Sequence, residues 1–189
     1  MKALPQDREW DLLFQRKDTV VSLPLPNPAE PPPSEETPRI LIADDDPVVR
    51  GSLAAVLESE NYIVKEARNG IEAVTQAIKL VPGLVLLDIN MPHWDGWTAF
   101  SQLERVTPLL PVIVITARPN QYEKAVRLGV DAFMEKPLNI ALLIRAIRRL
   151  TREEGSLRMR RITNPAFVTE WLVENGYDGQ APPPPAPQK

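Results

Sequence analysis

A set of short, continuous apolar runs constrains the fold of this chain more than any other feature. Three of them, residues 40–43, 84–87 and 112–115, contain no polar side chain. Runs of this kind are typical of strands covered on both faces, as in a parallel sheet with helices on each side. Residues 62–66 and 132–135 are weaker runs that predict two more strands, nearer the sheet edges.

Helix signals lie between these runs. Asp46-Pro47 places an N-cap residue before a proline at the first helical position, and Asn69 and Asn139 can cap two more helices with apolar stripes. Shorter helices are predicted over residues 96–104 and 121–128. Five strand-helix units with right-handed crossovers predict an α/β fold, a doubly wound parallel sheet in a three-layer sandwich.

Proline content divides the chain into three parts. Residues 1–38 form an N-terminal segment that ends in a proline-rich linker, residues 39–153 form the predicted domain, and residues 154–189 form a C-terminal extension with a proline-rich tail. The extension predicts one more helix over residues 164–175, with Phe167, Trp171 and Leu172 on one face. A similar apolar cluster, Trp10, Leu13 and Phe14, lies in the N-terminal segment.

Composition excludes several kinds of site. The chain has no cysteine, which excludes disulfides and thiolate catalysis, and its single histidine, His93, excludes a multi-histidine metal centre. The net charge of -3 argues neither for nor against nucleic acid. No apolar run is long enough to span a bilayer, and the N-terminus lacks a signal-peptide pattern, so the predicted location is the cytoplasm.

Polar residues stand where four of the predicted strands end. Asp44 and Asp45 follow the first strand, Asp88 ends the third, Thr116 ends the fourth and Lys136 ends the fifth. In open α/β sheets the site lies at the carboxyl ends of the strands. Each residue taken singly has an ordinary explanation as a cap, turn or loop residue, but the ordered set predicts a common site.

The residue types in this set suit one chemistry. Two carboxylates about 4 Å apart repel by roughly 4 kcal/mol at an effective dielectric near 20, so three of them need a cation or a raised pKa. A hard, oxygen-rich site suits Mg²⁺ or Mn²⁺. Lys136 adds a positive charge and Thr116 a hydroxyl donor, as phosphoryl transfer requires.

Four short motifs carry a resemblance to a known family. They are residues 40–47 (ILIADDDP), residues 86–92 (LLDINMP) with Asp95-Gly96, residues 115–117 (ITA) and residues 135–137 (EKP). Together they make residues 39–153 resemble a two-component response-regulator receiver domain of the chemotaxis-regulator type. The resemblance implies a flavodoxin-like, five-stranded parallel sheet with the strand order 2-1-3-4-5.

The resemblance also implies a phosphoacceptor and its metal ligands. Asp88 matches the residue that accepts the phosphoryl group. Asp45 matches the direct ligand of Mg²⁺ or Mn²⁺, and Asp44 matches the residue that holds a metal-bound water. Asn90 would contribute its backbone carbonyl to the metal.

Four further positions match the family's switch machinery. Thr116 and Lys136 would contact the phosphoryl oxygens, and Phe133 matches an aromatic switch residue coupled to Thr116. The peptide bond before Pro137 would be cis. The stretch between Thr116 and Gly129 is about two residues shorter than is usual in the family. This puts in doubt the family's usual way of forming dimers or of contacting a target.

The resulting hypothesis is a phosphorylation-controlled signalling switch. The chain would accept a phosphoryl group on Asp88 from a histidine kinase or phosphotransfer protein and act through an unknown protein target, as a self-phosphorylating acceptor and not as a turnover enzyme. The sequence is also compatible with a homodimer. The alternatives are a receiver-fold scaffold that does not switch and a nucleic-acid-binding regulator, the less favoured of the two. The latter would use a basic stretch of seven arginines, Arg145, Arg148, Arg149, Arg152, Arg158, Arg160 and Arg161.

Overall fold

The computed structural model of the protein describes residues 37–173. The Trp10, Leu13 and Phe14 cluster, the proline-rich linker as far as residue 36, and the tail from residue 174 lie outside the described residues. Within the described range, no helix is both long enough and apolar enough to cross a membrane.

The described residues form six strands and six helices. In chain order these elements are β1 (Arg39–Ala43), α1 (Pro47–Ser59), β2 (Ile63–Ala67), α2 (Gly70–Leu80), β3 (Leu84–Asp88), α3 (Gly96–Val106), β4 (Val112–Thr116), α4 (Tyr122–Leu128), β5 (Ala132–Glu135), α5 (Ile140–Thr151), α6 (Gly155–Ile162) and β6 (Glu170–Trp171).

All strand pairs in the sheet are parallel, and the strand order is β2-β1-β3-β4-β5-β6. The predicted order of the first five strands and the doubly wound architecture are therefore confirmed. A sixth strand, which the sequence did not predict, extends the sheet beyond β5. The order reverses between β1 and β3, so the carboxyl ends of these two strands flank the position where a doubly wound sheet forms its crevice.

Two apolar clusters cover the two faces of the sheet. Alternate residues of each central strand enter opposite clusters: Ile40 and Ile42 pack with α1 and α5, whereas Leu41 and Ala43 pack with α2, α3 and α4. Every residue of β3 and β4 is buried. The continuous apolar runs thus have the physical origin assumed from the sequence, since both faces of the sheet are covered by helices.

Local caps fix where the helices begin. The Asp46 carboxylate accepts hydrogen bonds from the amides of Val48 and Val49, and the Asn69 side chain accepts one from the amide of Glu72. Asn139 caps α5 in the same way. These caps were predicted, because they depend only on neighbours within three residues.

The predicted helix over residues 164–175 is wrong in its described part. Residues 164–169 form a turn and irregular chain with no helix, and Glu170–Trp171 pairs in parallel with β5. Phe167, Trp171 and Leu172 fit the spacing of a helical face, but the open edge of β5 supplies backbone hydrogen bonds that an isolated short helix would have to make alone.

The helix that does form in the C-terminal extension, α6, is anchored by charge. Its Arg158 is only 4% exposed and forms an ion pair with Asp131, which is equally buried. Asp131 also accepts hydrogen bonds from Arg161 at 2.8 Å and from the backbone amide of Val112 at 2.9 Å. The buried carboxylate is therefore fully partnered, and it ties α6 to the β4-β5 end of the sheet.

Candidate functional site

Three of the predicted site residues meet directly at the carboxyl edge of the sheet. The Lys136 ammonium donates to Asp44 Oδ2 at 2.7 Å and to Asp88 Oδ2 at 2.9 Å. These residues follow or end β5, β1 and β3, and they are up to 92 positions apart in the chain. The parallel topology brings them together, since it places the carboxyl ends of all the strands at one edge.

Asp45 completes an acidic cluster at this edge. Carboxylate oxygens of Asp44, Asp45 and Asp88 all lie within 4.8 Å of one another. Asp44 is fully buried and Asp88 is 4% exposed, whereas Asp45 is exposed to solvent. The cluster thus has a closed inner side and an open side that a ligand can reach.

Asp88 is held by backbone contacts on both of its sides. Its Oδ1 accepts a hydrogen bond from the amide of Asn90 at 3.1 Å, and Asn90 itself is exposed. The first residue of α3, Gly96, lies against the same strand end, and its amide donates to the carbonyl of Ile89 at 3.1 Å. A Cβ on Gly96 would lie 2.3 Å from the backbone oxygen of Asp88, so only glycine permits this approach.

Burial and the ammonium group act in opposite directions on Asp44. Burial raises the pKa of the Asp44 carboxyl above its ordinary value of 3.8, and hydrogen bonds from Lys136 and from the Asp46 amide offset only part of this rise. Burial alone would lower the pKa of Lys136, but its bonds to Asp44 and Asp88 and their negative charges raise it overall. Lys136 therefore stays positively charged in the cluster.

Thr116 and Phe133, the two predicted switch residues, are both buried in the sheet. Thr116 is fully buried, and its Oγ1 accepts a hydrogen bond from the amide of Arg118 at 2.9 Å. Phe133 is also fully buried, and its ring packs against the rings of Tyr122 and Trp171. The Lys136-Pro137 peptide bond is cis.

Arg50 is a site residue that the sequence analysis missed. Its Nη1 donates to the backbone carbonyls of Asp44 at 2.7 Å and Asp45 at 3.1 Å, and its Nε donates to Glu66 at 3.1 Å. The side chain is 7% exposed, and its bonds to these two carbonyls hold the backbone of the β1-α1 loop in place. The sequence feature that could have predicted this role is an arginine one helical turn after the capping residue Asp46.

The donor set of this site fits a hard divalent cation. The three clustered ligand groups are carboxylates, and carboxylate and carbonyl oxygens are the ligands that Mg²⁺ prefers. Lys136 already bridges two of the three carboxylates, which shows that the cluster attracts a positive charge. The same cluster without any cation would carry unbalanced repulsion.

The basic stretch of seven arginines is largely neutralised within the described chain. Arg158 and Arg161 pair with Asp131 and Glu153. Arg148 pairs with Glu60, and Arg149 pairs with Glu170. The structure thus uses four of these arginines to attach the C-terminal segment and α5 to their neighbours.

Comparison with known proteins gives one consistent family. Residues 40–148 match the response regulator receiver domain. The chain is 34% identical over 119 residues to the DNA-binding dual master transcriptional regulator RpaA of a Synechocystis species, which covers 61% of this chain and 49% of that protein. It is 37% identical over 116 residues to the response regulator MprA of a Mycobacterium species, covering 60% and 50%. The chain thus spans about half the length of the curated relatives it matches.

Solved structures agree with this result. A CheY-like response regulator receiver domain protein from Methanospirillum hungatei superposes with a TM-score of 0.59 at 25% identity, covering 66% of this chain and 98% of that one. The response regulator protein TrrA from Thermotoga maritima, solved in complex with Mg²⁺-BeF, gives a TM-score of 0.57 at 28% identity, covering 60% and 99%. Both likenesses cover nearly the whole of the other structure.

Proposed function

The chain belongs to the response regulator receiver domain family, and from that premise we propose that it is a phosphorylation-controlled switch of a two-component system that accepts a phosphoryl group on Asp88. The family is a signalling family of two-component systems whose members interact with histidine kinases and downstream targets. The proposed chemistry is a single transfer to the chain's own side chain and not catalytic turnover. The cytoplasm stays the predicted location.

One observation carries the proposal most directly. The Lys136 ammonium contacts the Asp88 carboxylate at 2.9 Å and the Asp44 carboxylate at 2.7 Å, at the one strand edge where four strand ends meet. A phosphoryl group on Asp88 would add negative charge beside this ammonium. Because the Lys136 ammonium is a compact charge on a flexible stem, it can pair with a phosphoryl oxygen while its backbone stays at the end of β5.

The proposed step is a displacement at phosphorus. An Asp88 carboxylate oxygen forms a bond to the phosphorus atom of a phosphohistidine, the bond between phosphorus and the imidazole nitrogen breaks, and the imidazole keeps that electron pair. Lys136 offsets the charge on the equatorial oxygens, and Thr116 offers its hydroxyl proton to one of them. Such transfers depend mainly on positioning and charge neutralisation, which this rigid edge provides.

Asp44, Asp45 and Asp88, with the backbone carbonyl of Asn90, are the residues we assign to Mg²⁺ or Mn²⁺. The bound ion would supply charge neutralisation for the transferring phosphoryl group. Asp45 is the exposed member of the carboxylate cluster, so it is the one that a hydrated ion meets first. Asp44 is engaged by Lys136 and by the Asp46 amide, which suits a less direct role.

An apolar groove beside the site suits a phosphodonor protein. The groove runs from α1 to the start of α5 and passes Lys136. Its lining includes Val48, which is 72% exposed, with Val56, Leu138 and Ile140. A phosphohistidine presented by a helix lying in this groove would reach Asp88 from the side where Lys136 is already in place.

The proposed function is tested by chemical phosphorylation of the whole chain. Incubation with Mg²⁺ and acetyl phosphate should add one phosphoryl group to the intact mass, and hydroxylamine should remove it, as expected for an acyl phosphate. Asp88→Ala or chelation of the metal should abolish the adduct. Asp46→Asn is the matched control, because it removes a carboxylate from the same edge while asparagine still caps α1. An adduct that persists on Asp88→Ala, or no adduct on the unaltered chain, would refute the assignment, and the latter result would favour a non-switching scaffold.

A further inference from the structure

Residues 169–172 form the edge of the sheet beside β5 and contact helices on both faces. The Glu170 amide donates to the carbonyl of Asp131 at 3.1 Å, and the Leu172 amide donates to that of Phe133 at 2.8 Å. Successive residues of a strand point to opposite faces. Trp171 accordingly packs in the cluster that contains α4, whereas Leu172 packs in the cluster that contains α5.

The contacts with α4 are specific and involve its first turn. The Tyr122 hydroxyl donates to the backbone carbonyl of Thr169 at 2.7 Å, and Thr169 Oγ1 donates to the carbonyl of Ala125 at 3.2 Å. The rings of Tyr122 and Trp171 stack with their centroids 4.8 Å apart. The strand is thus bonded to α4 through backbone, hydroxyl and ring contacts at once.

Two short routes connect this strand to the acidic cluster. Through β5, the Trp171 ring meets Phe133 edge-on at 6.5 Å, and Phe133 lies three residues before Lys136. Through the β4-α4 loop, Thr116 accepts the Arg118 amide, and the same loop leads into Tyr122. The β5 route runs through the buried Phe133 and Met134, so close packing can pass a shift along it. The loop route begins at the buried Thr116 and ends at the buried Tyr122, and the exposed residues 117–120 connect the two.

We propose that residues 169–172 are an internal switch strand that holds α4 in the unphosphorylated arrangement and loosens from β5 when Asp88 is phosphorylated. The inference rests on the proposed function, because it takes Asp88 to be the phosphoacceptor. Thr116 is fully buried, and its Oγ1 now accepts the Arg118 amide. Drawing this hydroxyl toward a phosphoryl oxygen removes it from that amide and shifts the loop that positions Tyr122.

The coupling acts in both directions. If phosphorylation weakens the hold of α4 on the strand, then weakening that hold must favour phosphorylation by the same factor. The β5 edge that the strand covers presents backbone groups that other chains can pair with once it is open. The phosphorylated domain would therefore differ from the unphosphorylated one in a newly uncovered edge.

Hydrogen exchange on the full chain tests the first direction. With Mg²⁺ present, beryllofluoride should increase the exchange rates of the Glu170 and Leu172 amides about tenfold, within the usual range for coupling between two sites. Amides of β3 and β4 should keep their slow exchange, and the segment around Asp88 should gain protection when the mimic binds. Protection around Asp88 with unchanged exchange at residues 169–172 would overturn this inference and leave the proposed function intact. No protection at Asp88 would overturn both.

Variants of the full chain test the reverse direction. Tyr122→Phe removes only the hydroxyl bonded to Thr169, and Trp171→Ala removes the stacked ring. Each should raise the equilibrium affinity for beryllofluoride by roughly three- to tenfold at saturating Mg²⁺. Glu170→Gln is the matched control, because it alters the same strand on the α5 side but removes only a solvent-exposed pair with Arg149, which contributes little to stability. Equal affinities for beryllofluoride in all three variants and the unaltered chain would overturn the proposal.

Discussion

At the scale of single residues, the two aspartates after β1 have different environments and therefore different expected roles. Asp44 is fully buried, and its two oxygens accept hydrogen bonds from the Asp46 amide and from Lys136. Asp45 is exposed, and its carboxylate contributes an oxygen to the same cluster. Neighbours in sequence can differ in this way because successive residues leaving a strand point in opposite directions.

This difference predicts unequal metal binding by two alanine variants. Asp45→Ala should lower the affinity for Mg²⁺ on the order of tenfold or more, because even residues outside the first ligand sphere commonly cost that much. Asp44→Ala should lower it less, since Asp44 is already engaged by Lys136. Fluorescence titration with Mg²⁺ measures both, using the half-buried Trp94 and the buried Trp97 as reporters. The control is Asp46→Asn, which should bind almost as the unaltered chain does, and equal affinities in Asp45→Ala and the unaltered chain would rule out the ligand role.

Gly96 offers a second test at this scale. In Gly96→Ala the new Cβ would lie 2.3 Å from the Asp88 oxygen and 2.5 Å from the Ile89 Cα, so backbone must move. We predict a loss of about 1–3 kcal/mol in the free energy of unfolding, as is usual for overpacking, with slower phosphorylation of Asp88. Gly51→Ala in α1 is the matched control, because its Cβ would meet nothing within 4 Å. Gly51→Ala should be neutral or stabilising by about 0.5–1 kcal/mol. Urea titration measures the free energy of unfolding of both variants, and equal values would contradict the packing argument.

At the scale of secondary-structure elements, the sequence predicted what is decided locally and missed what is decided at a distance. The caps at Asp46 and Asn139 and the strand over residues 84–87 follow from near neighbours and continuous burial. The helix α6 lacks an apolar stripe, and it is anchored by Arg158 to Asp131, which lies 27 residues earlier. No local pattern reports such a partner.

The same distinction holds for the candidate site. Asp44, Asp45, Asp88 and Lys136 were predicted to converge because strand ends share one edge in a parallel sheet, and the structure brings them together. The role of Arg50 depends on how deeply the β1-α1 loop is buried, which sequence spacing does not specify. The strand at Glu170–Trp171 was missed because its two residues are too few to show an alternating pattern.

The junction between α5 and α6 predicts a pH dependence of stability. Hydrogen bonds from Arg161 lower the pKa of Glu153 below its ordinary value of 4.5, with a smaller opposing effect of burial. The folded chain therefore favours the ionised carboxylate. This stabilisation is fully present above pH 4.5 and is lost as the pH falls through the lowered pKa of the folded state.

Urea unfolding at several pH values measures this effect. Glu153→Gln should lower the free energy of unfolding by about 1.5–3 kcal/mol near neutral pH, as for hydrogen bonds to charged groups. It should also flatten the decline below pH 4.5. The neighbouring Glu154→Gln is the control, since Glu154 is exposed and its side chain makes no capping bond to α6. A Glu153→Gln variant with the same acid decline as the unaltered chain would show that this carboxylate does not contribute.

At the scale of the whole molecule, the distribution of charge bears on the nucleic-acid alternative. Four of the seven arginines in the basic stretch hold neighbouring elements through ion pairs, and the chain carries a net charge of -3. Within residues 37–173, only Arg145, Arg152 and Arg160 of this stretch lack such a pair. The similarity to the DNA-binding regulator RpaA covers 49% of that protein, so it does not by itself assign DNA binding to the matched region.

The last prediction follows from counting the cations that remain available. Three arginines can contact about three phosphates, and each phosphate contributes about 0.9 to the dependence of binding on salt. Any binding of duplex DNA through this stretch should therefore show a slope of log affinity against log salt no steeper than about -3. Fluorescence anisotropy between about 50 and 200 mM salt measures the slope. Freeing the other four arginines would break ion pairs that include the buried Arg158-Asp131 pair, and so would loosen α6 from the sheet. A slope near -6 that falls to about -4 when Arg145, Arg152 and Arg160 are changed to glutamine would show that all seven arginines contact phosphate and that the basic stretch is a nucleic-acid surface.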